Sequence, residues 1–164
     1  MKKFWKTVIL TGLFVGTTDI LMAFISTTVK SGKFPEKMFH YLAGGALGLE
    51  KSMAGGPGVE FLGLFFHYFI AMSFTIFFFV IFPRLKFLWF NKYLVGILYA
   101  VFVNLTMRFI ILPLTALPKN ANPFLLSRAY IDWILLGVVL GIPIVYNAYK
   151  YYKVEETSIK KTAV

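Results

Sequence analysis

The sequence predicts an all-α polytopic membrane protein with four transmembrane helices and an amphipathic helix in the first loop. Of the 164 residues, 59% are hydrophobic, and the mean hydropathy is +0.74. Only 15% are charged, whereas soluble domains usually contain about 25%. Four apolar stretches are also long enough to cross a bilayer. A core of this size cannot hide so many apolar side chains, so we expect lipid to surround them.

Each predicted span contains roughly 20 mostly apolar residues, the length that crosses the hydrocarbon layer. The spans are residues 5–26, 59–82, 93–116 and 126–148. The proline-containing breakers "FPRLK" at 82–86 and "LPKNANP" at 117–123 separate the later spans. No internal repeat is visible, so we expect a single domain over 1–164 with a polar tail at 150–164.

The first span begins like a secretory signal, with Lys2, Lys3 and Lys6 ahead of an apolar run. No small-x-small cleavage site stands out after that run, so we expect an uncleaved helix.

The distribution of Lys and Arg predicts that both termini face the cytoplasm. An inside N-terminus places ten basic residues in the cytoplasm: Lys2, Lys3, Lys6, Arg84, Lys86, Lys92, Lys150, Lys153, Lys160 and Lys161. It leaves six outside: Lys30, Lys33, Lys37, Lys51, Lys119 and Arg128. Aromatic residues would then form a belt on the inner side: Trp5, Trp89, Tyr149, Tyr151 and Tyr152.

Composition also excludes several kinds of chemistry. The chain has no cysteine, which excludes disulfides, thiol catalysis and cysteine metal sites. The net charge of +10 is typical of the topology of a basic multi-span protein. We therefore expect the lipid bilayer as partner and no nucleic acid.

Each predicted span carries one ionisable residue, and together these residues define a polar layer. Asp19, His67, Arg108 and Asp132 all lie roughly 9 to 12 Å from the outer ends of their helices, at about 1.5 Å rise per residue. Asn104 lies one turn deeper than Arg108 on the same face. A charge at this depth costs at least ~2–3 kcal/mol. We therefore expect Asp19, Asp132 or both to accept hydrogen bonds from Arg108. The hydroxyl groups that could supply further hydrogen bonds nearby are those of Thr17, Thr18, Ser73 and Thr106. We expect His67 to be the residue of the layer that titrates.

The first loop predicts an amphipathic helix over about 35–53, opened by Pro35. Its apolar face is Met38, Leu42, Leu49 and Met53, and the opposite face carries Glu36, Lys37, His40 and Lys51. Such a helix either lies in the membrane interface or folds over the polar layer as a lid, and His40 and Lys51 are its lid or interface residues. We expect His40 to be solvated or to face the headgroups.

No cofactor or metal site is predicted. His40 and His67 form the only histidine pair, and no histidine-rich spacing supports a haem or metal.

Three segments resemble the YagU-like bacterial inner-membrane proteins, a family of unknown function. They are "GLFVGTTDILMAFI", "LGLFFHYFIAMSFTIFFFVIFPRL" and "VGILYAVFVNLTMRFIILPLT". The likeness rests on a Gly-x-x-Asp pattern at Gly16 and Asp19, a Gly-x-x-x-His pattern at Gly63 and His67, and the Pro113–Leu114 pair. The resemblance implies a bacterial cytoplasmic membrane and no established mechanism.

Three classes of function fit these observations. The first is binding or passage of a small solute or protons at the polar layer, which would need an oligomer or membrane partner because no paired repeat is visible. The second is a structural or accessory envelope protein that acts through lipid or partner contacts, with the polar layer fixing helix register. The third is an intramembrane enzyme, which we rank last because no catalytic nucleophile is identifiable.

Overall fold

The computed structural model describes residues 2–118 and 135–162, and all regular structure in them is helical. The first half contains α1 (Lys2–Ser31), α2 (Met38–Leu47), α3 (Leu49–Met53) and α4 (Pro57–Ile81). Two 3₁₀ turns, Phe82–Arg84 and Lys86–Trp89, lead to α5 (Lys92–Thr106), a π turn (Met107–Ile111) and α6 (Leu112–Leu114). The last described elements are a π turn (Gly137–Gly141) and α7 (Ile142–Thr162).

Three helical segments are long and apolar enough to cross a membrane, which confirms the membrane class. They are Lys2–Ser31, Pro57–Arg84 and Lys92–Leu114. The predicted fourth span, 126–148, falls partly outside the described residues, and its described part from 135 onward is helical. This helix continues to Thr162 and so includes most of the polar tail predicted at 150–164.

The long helices pack as two antiparallel pairs. Close backbone contacts join α1 to α4, and they join α5 to α7 and the π turn before it. The pairs meet where α1 contacts α7 and where Tyr99 of α5 donates a hydrogen bond to the Phe74 carbonyl of α4 at 2.6 Å.

Glycines allow the close approach within the second pair. A Cβ added to Gly96 would lie 2.8 Å from the backbone of Ile142, and one added to Gly141 would collide with the Gly96 carbonyl oxygen. Small residues drive association in lipid because they let backbones touch, and no hydrophobic force acts between helices there. Gly96 of α5 and Gly141 of the second π turn therefore form a close contact between the two helices.

Each π turn ends two residues before a proline, at Pro113 and at Pro143. The Leu112 amide bonds the Met107 carbonyl, and the Ile142 amide bonds the Gly137 carbonyl, each five residues back. A helical proline lacks an N–H and its ring clashes with the carbonyl four residues before it. A widened turn relieves that clash, which explains why both π turns stand at these positions.

The first loop forms two helices rather than the single helix predicted at 35–53. Gly48 separates them at φ 81°, a left-handed conformation that glycine adopts without strain. The buried face is also different from the predicted one, since it contains His40, Ala43 and Gly44. Helix α2 packs closely on α4 at Gly63. The two backbones are so close there that an added Cβ would collide with the Phe39 carbonyl oxygen. The first-loop helices therefore pack on the helical bundle.

The most tightly packed end of the bundle is the end that carries the N-terminus. Aromatic rings from α1, α4, the linker and α7 contact one another there, including Phe4–Phe79, Phe82–Trp89, Phe82–Tyr152 and Trp89–Tyr149. The Tyr152 hydroxyl donates to the Phe79 carbonyl at 2.7 Å. Trp89, Tyr149, Tyr151 and Tyr152 of the predicted aromatic belt therefore lie at the same end of the molecule.

Candidate functional site

Asp19 and His67 meet where α1 and α4 cross. The glycine face of α1 allows the approach, because a Cβ at Gly16 would lie 2.8 Å from the Tyr68 ring and one at Gly12 would lie 2.6 Å from the Met72 sulfur. Both ionisable residues are partly buried, and His67 acts electrostatically on Asp19. The sequence predicted that these residues share a depth, and the structure brings them together.

A hydrogen bond to the α1 backbone fixes the orientation of the His67 ring. Its Nε2 lies 2.8 Å from the Gly16 carbonyl oxygen. A carbonyl oxygen only accepts, so Nε2 carries the hydrogen and donates it. In the neutral ring Nδ1 is then the nitrogen that carries no hydrogen.

Tyr68 completes the contact between the two helices, and the sequence analysis did not identify it. Its hydroxyl lies 2.7 Å from the Thr17 Oγ1, and its ring contacts His67 edge-on with centroids 5.5 Å apart. The sequence signal that could have identified Tyr68 is its position directly after His67. A tyrosine hydroxyl inside a membrane-spanning helix needs a polar partner, and Thr17 on the facing helix supplies it.

The other hydroxyl groups near this depth bond chiefly to their own helices. Thr17, Thr18 and Ser73 donate to the carbonyls of Leu13, Phe14 and Phe69, each four residues back, at 2.7–3.0 Å. Thr18 also reaches the Val139 carbonyl at 3.3 Å. Thr17, Thr18 and Ser73 thus bond to backbone carbonyls and, for Thr17, to Tyr68.

Arg108 and Asn104 belong to the second helix pair. Arg108 lies in the π turn after α5, partly buried, with its guanidinium carbon 5.9 Å from the centroid of the Phe109 ring. Both residues make further interactions. Asp132, the predicted partner of Arg108, lies outside the described residues. Asp19 and His67 therefore lie on the first helix pair, and Arg108 lies on the second.

His40 is buried under the first loop, so the expectation of a solvated or headgroup-facing side chain is wrong. Only 6% of its surface is exposed, and its Nε2 donates to the Gly55 carbonyl at 3.1 Å. Its Nδ1 lies 3.7 Å from the Glu60 Oε1 and has no hydrogen-bond partner among the described residues. Lys51, the other predicted loop residue, is exposed on α3.

The two histidine rings bond different carbonyls: His40 bonds that of Gly55 in the first loop, and His67 bonds that of Gly16 in α1. Among residues 2–118 and 135–162, no group of three or more His, Asp or Glu residues is arranged to hold a metal ion.

Comparison of the chain with protein-family models, with curated proteins and with solved structures finds no match. The argument for a function therefore rests on the geometry of the polar residues.

Proposed function

We propose that this protein binds a proton or small solute at its intramembrane polar layer, and passes it across the membrane, with Asp19 and His67 as the binding pair. The observation that carries the proposal is the position of the His67 ring, which bonds the Gly16 carbonyl of α1 about one turn from Asp19. Helices α1 and α4 are both long and apolar enough to span a membrane. Ionisable residues at such depth are costly and generally mark ion or substrate pathways.

Charge balance favours uptake of one proton. With Asp19 ionised and His67 neutral, the pair carries a charge of −1. One added proton makes the pair neutral, whether it resides on the carboxylate or on Nδ1 of His67. A neutral pair is the cheapest state in an apolar surrounding, and the Gly16 hydrogen bond is kept in both forms.

The proposed setting is a bacterial cytoplasmic membrane, with both termini in the cytoplasm. The count of basic residues supports this orientation, and the resemblance to YagU-like proteins supports the membrane. A second copy of the chain, or another membrane protein, would supply the transport path that four helices without a repeat cannot form alone.

Proteoliposomes containing a trapped pH-sensitive dye test the proposal. A membrane potential should drive proton flux into vesicles holding the unaltered protein, and flux should fall to the level of empty vesicles in His67→Gln and Asp19→Asn. Ser73→Ala is the matched control, because Ser73 lies on α4 and bonds only within it. That variant should keep full flux.

Proton binding is measured separately by infrared difference spectroscopy in detergent. A carboxylic-acid C=O band that appears on acidification and is missing in Asp19→Asn is expected. If there is no flux and no such band in protein that is folded, the pair is a packing element, which is the structural alternative.

A further inference from the structure

A basic cleft lies at the N-terminal end of the bundle, between the start of α5 and the side of α7. Its volume is about 590 Å³. The residues that line it include Lys92, Tyr146, Tyr149, Lys150, Lys153 and Thr157. The polar layer described above contributes none of its residues, so the cleft is a separate feature of the molecule.

Tyrosine rings hold two of the three lysines at the walls of the cleft. The Lys92 ammonium lies 4.9 Å from the Tyr146 ring centroid, and the Lys153 ammonium lies 5.8 Å from that of Tyr149. A cation–π contact positions an ammonium group and leaves its full charge available. The tyrosines therefore preorganise positive charge at this site.

No carboxylate neutralises these lysines in the part of the chain whose side chains the structure describes. No described acidic side chain lies within ion-pair distance of them or lines the cleft. Glu155, on the same helix, lies near Tyr151, where burial and then the Glu155 charge raise the tyrosine pKa. The cleft thus concentrates three positive charges, and it suits an anion.

The floor of the cleft is closed and its lipid-facing side is apolar. One turn below Tyr146, α5 and α7 come into backbone contact at Gly96 and Ile142. Along the same α5–α7 seam, Ile97 of α5, which lies against Gly137, is 41% exposed, and Val138 is 57% exposed. A headgroup fits in the cleft, and acyl chains would lie outside along α5.

We propose that this cleft binds the phosphate of an anionic phospholipid. Clusters of lysine beside the cytoplasmic ends of membrane helices attract anionic headgroups, and tyrosines favour the boundary between headgroups and hydrocarbon. Phosphate is the chemistry that three ammonium groups recognise. The position at the start of a membrane-spanning helix favours a lipid as its source over a soluble phosphate.

Native mass spectrometry of the detergent-released protein, titrated with phosphatidylglycerol or phosphatidylcholine of the same chain length, tests the proposal. The unaltered protein should retain phosphatidylglycerol about tenfold better or more, since each lysine contributes to headgroup attraction. Replacement of the three lysines, Lys92→Gln, Lys150→Gln and Lys153→Gln together, should abolish that preference.

The matched control removes three exposed lysines from the same end of the molecule but outside the cleft. Lys2→Gln, Lys3→Gln and Lys6→Gln together change the net charge equally and should leave the lipid preference intact. Equal retention of the two lipids by the unaltered protein would overturn the proposal, and this result does not depend on any variant folding. Equal loss in both triple variants would also overturn it, because the effect would then be one of net charge.

A third arm separates the lipid from a soluble anion. Millimolar inorganic phosphate should leave phosphatidylglycerol bound, because phosphate alone lacks the acyl chains that lie along α5. If inorganic phosphate displaces the lipid completely, the cleft is a site for a soluble anion and the lipid assignment is wrong.

Discussion

The contact between Gly63 of α4 and helix α2 tests whether close backbone approach keeps α2 packed on the bundle. A methyl group at residue 63 would lie 2.8 Å from the Phe39 carbonyl carbon and closer still to its oxygen. Ordinary van der Waals contact begins at 3.4 Å, so α2 would have to move by well over half an ångström. The clash is with backbone, which no side-chain rotation can relieve. Overpacking of this kind costs about 1–3 kcal/mol.

We therefore expect Gly63→Ala to shift α2 toward an undocked state by about 5- to 100-fold, since about 1.4 kcal/mol corresponds to a factor of ten. The chain has no cysteine, so a single Ala43→Cys substitution gives a clean reporter. Ala43 lies on α2 and is fully buried. Its reaction rate with a water-soluble maleimide should rise by that factor in Gly63→Ala.

Gly58→Ala is the control, because it lies on the same helix and an added Cβ would meet nothing within 4 Å. It should leave the rate at that of the single-cysteine protein. If Gly63→Ala and Gly58→Ala give the same rate, α2 does not depend on the glycine contact, and the reasoning from close backbone approach is refuted.

Three further perturbations test the rest of the bundle. Tyr99→Phe removes a buried hydrogen bond between α4 and α5 and should lower the free energy of unfolding in detergent by about 1 kcal/mol, measured by denaturant titration. Gly141→Ala should lower the free energy of unfolding by about 1–3 kcal/mol in the same assay. Gly137→Ala is its control and should be nearly neutral, because the added Cβ would meet its nearest neighbour at 3.5 Å. A double-mutant cycle of Asp19→Asn and His67→Gln should show a coupling of at least about 0.5 kcal/mol, and simple additivity would count against their direct interaction.

The membrane class and the span boundaries could be predicted from the sequence, because hydropathy over about 20 residues is a strong local signal. The three spans beginning near Trp5, Val59 and Tyr93 agree with the helices within a few residues. The depth of Asp19 and His67 could be predicted for the same reason, since helical rise converts residue number into distance.

The partners of each polar residue could not be predicted, because hydropathy carries no information about which helices are neighbours. The pairing of the helices places Asp19 near His67 on the first pair and Arg108 on the second. The first loop was mispredicted for a different reason. Amphipathic periodicity predicted one continuous helix, whereas Gly48 adopts a left-handed conformation and divides it, and His40, Ala43 and Gly44 form its buried face.

The arrangement of the helices in two antiparallel pairs has a consequence for the order of assembly. The first pair, with the first-loop helices packed on it, consists wholly of residues that precede the 3₁₀ linker. Its contacts can therefore form in the bilayer before the second pair has been synthesised, in keeping with the two-stage view of membrane folding. The two pairs then meet through the Tyr99 bond, the α1–α7 contact and the linker rings of Phe82 and Trp89, which pack on Tyr152 and Tyr149 of α7. Two separately expressed fragments, divided at the linker, should accordingly reassemble into the complete bundle when they share a membrane.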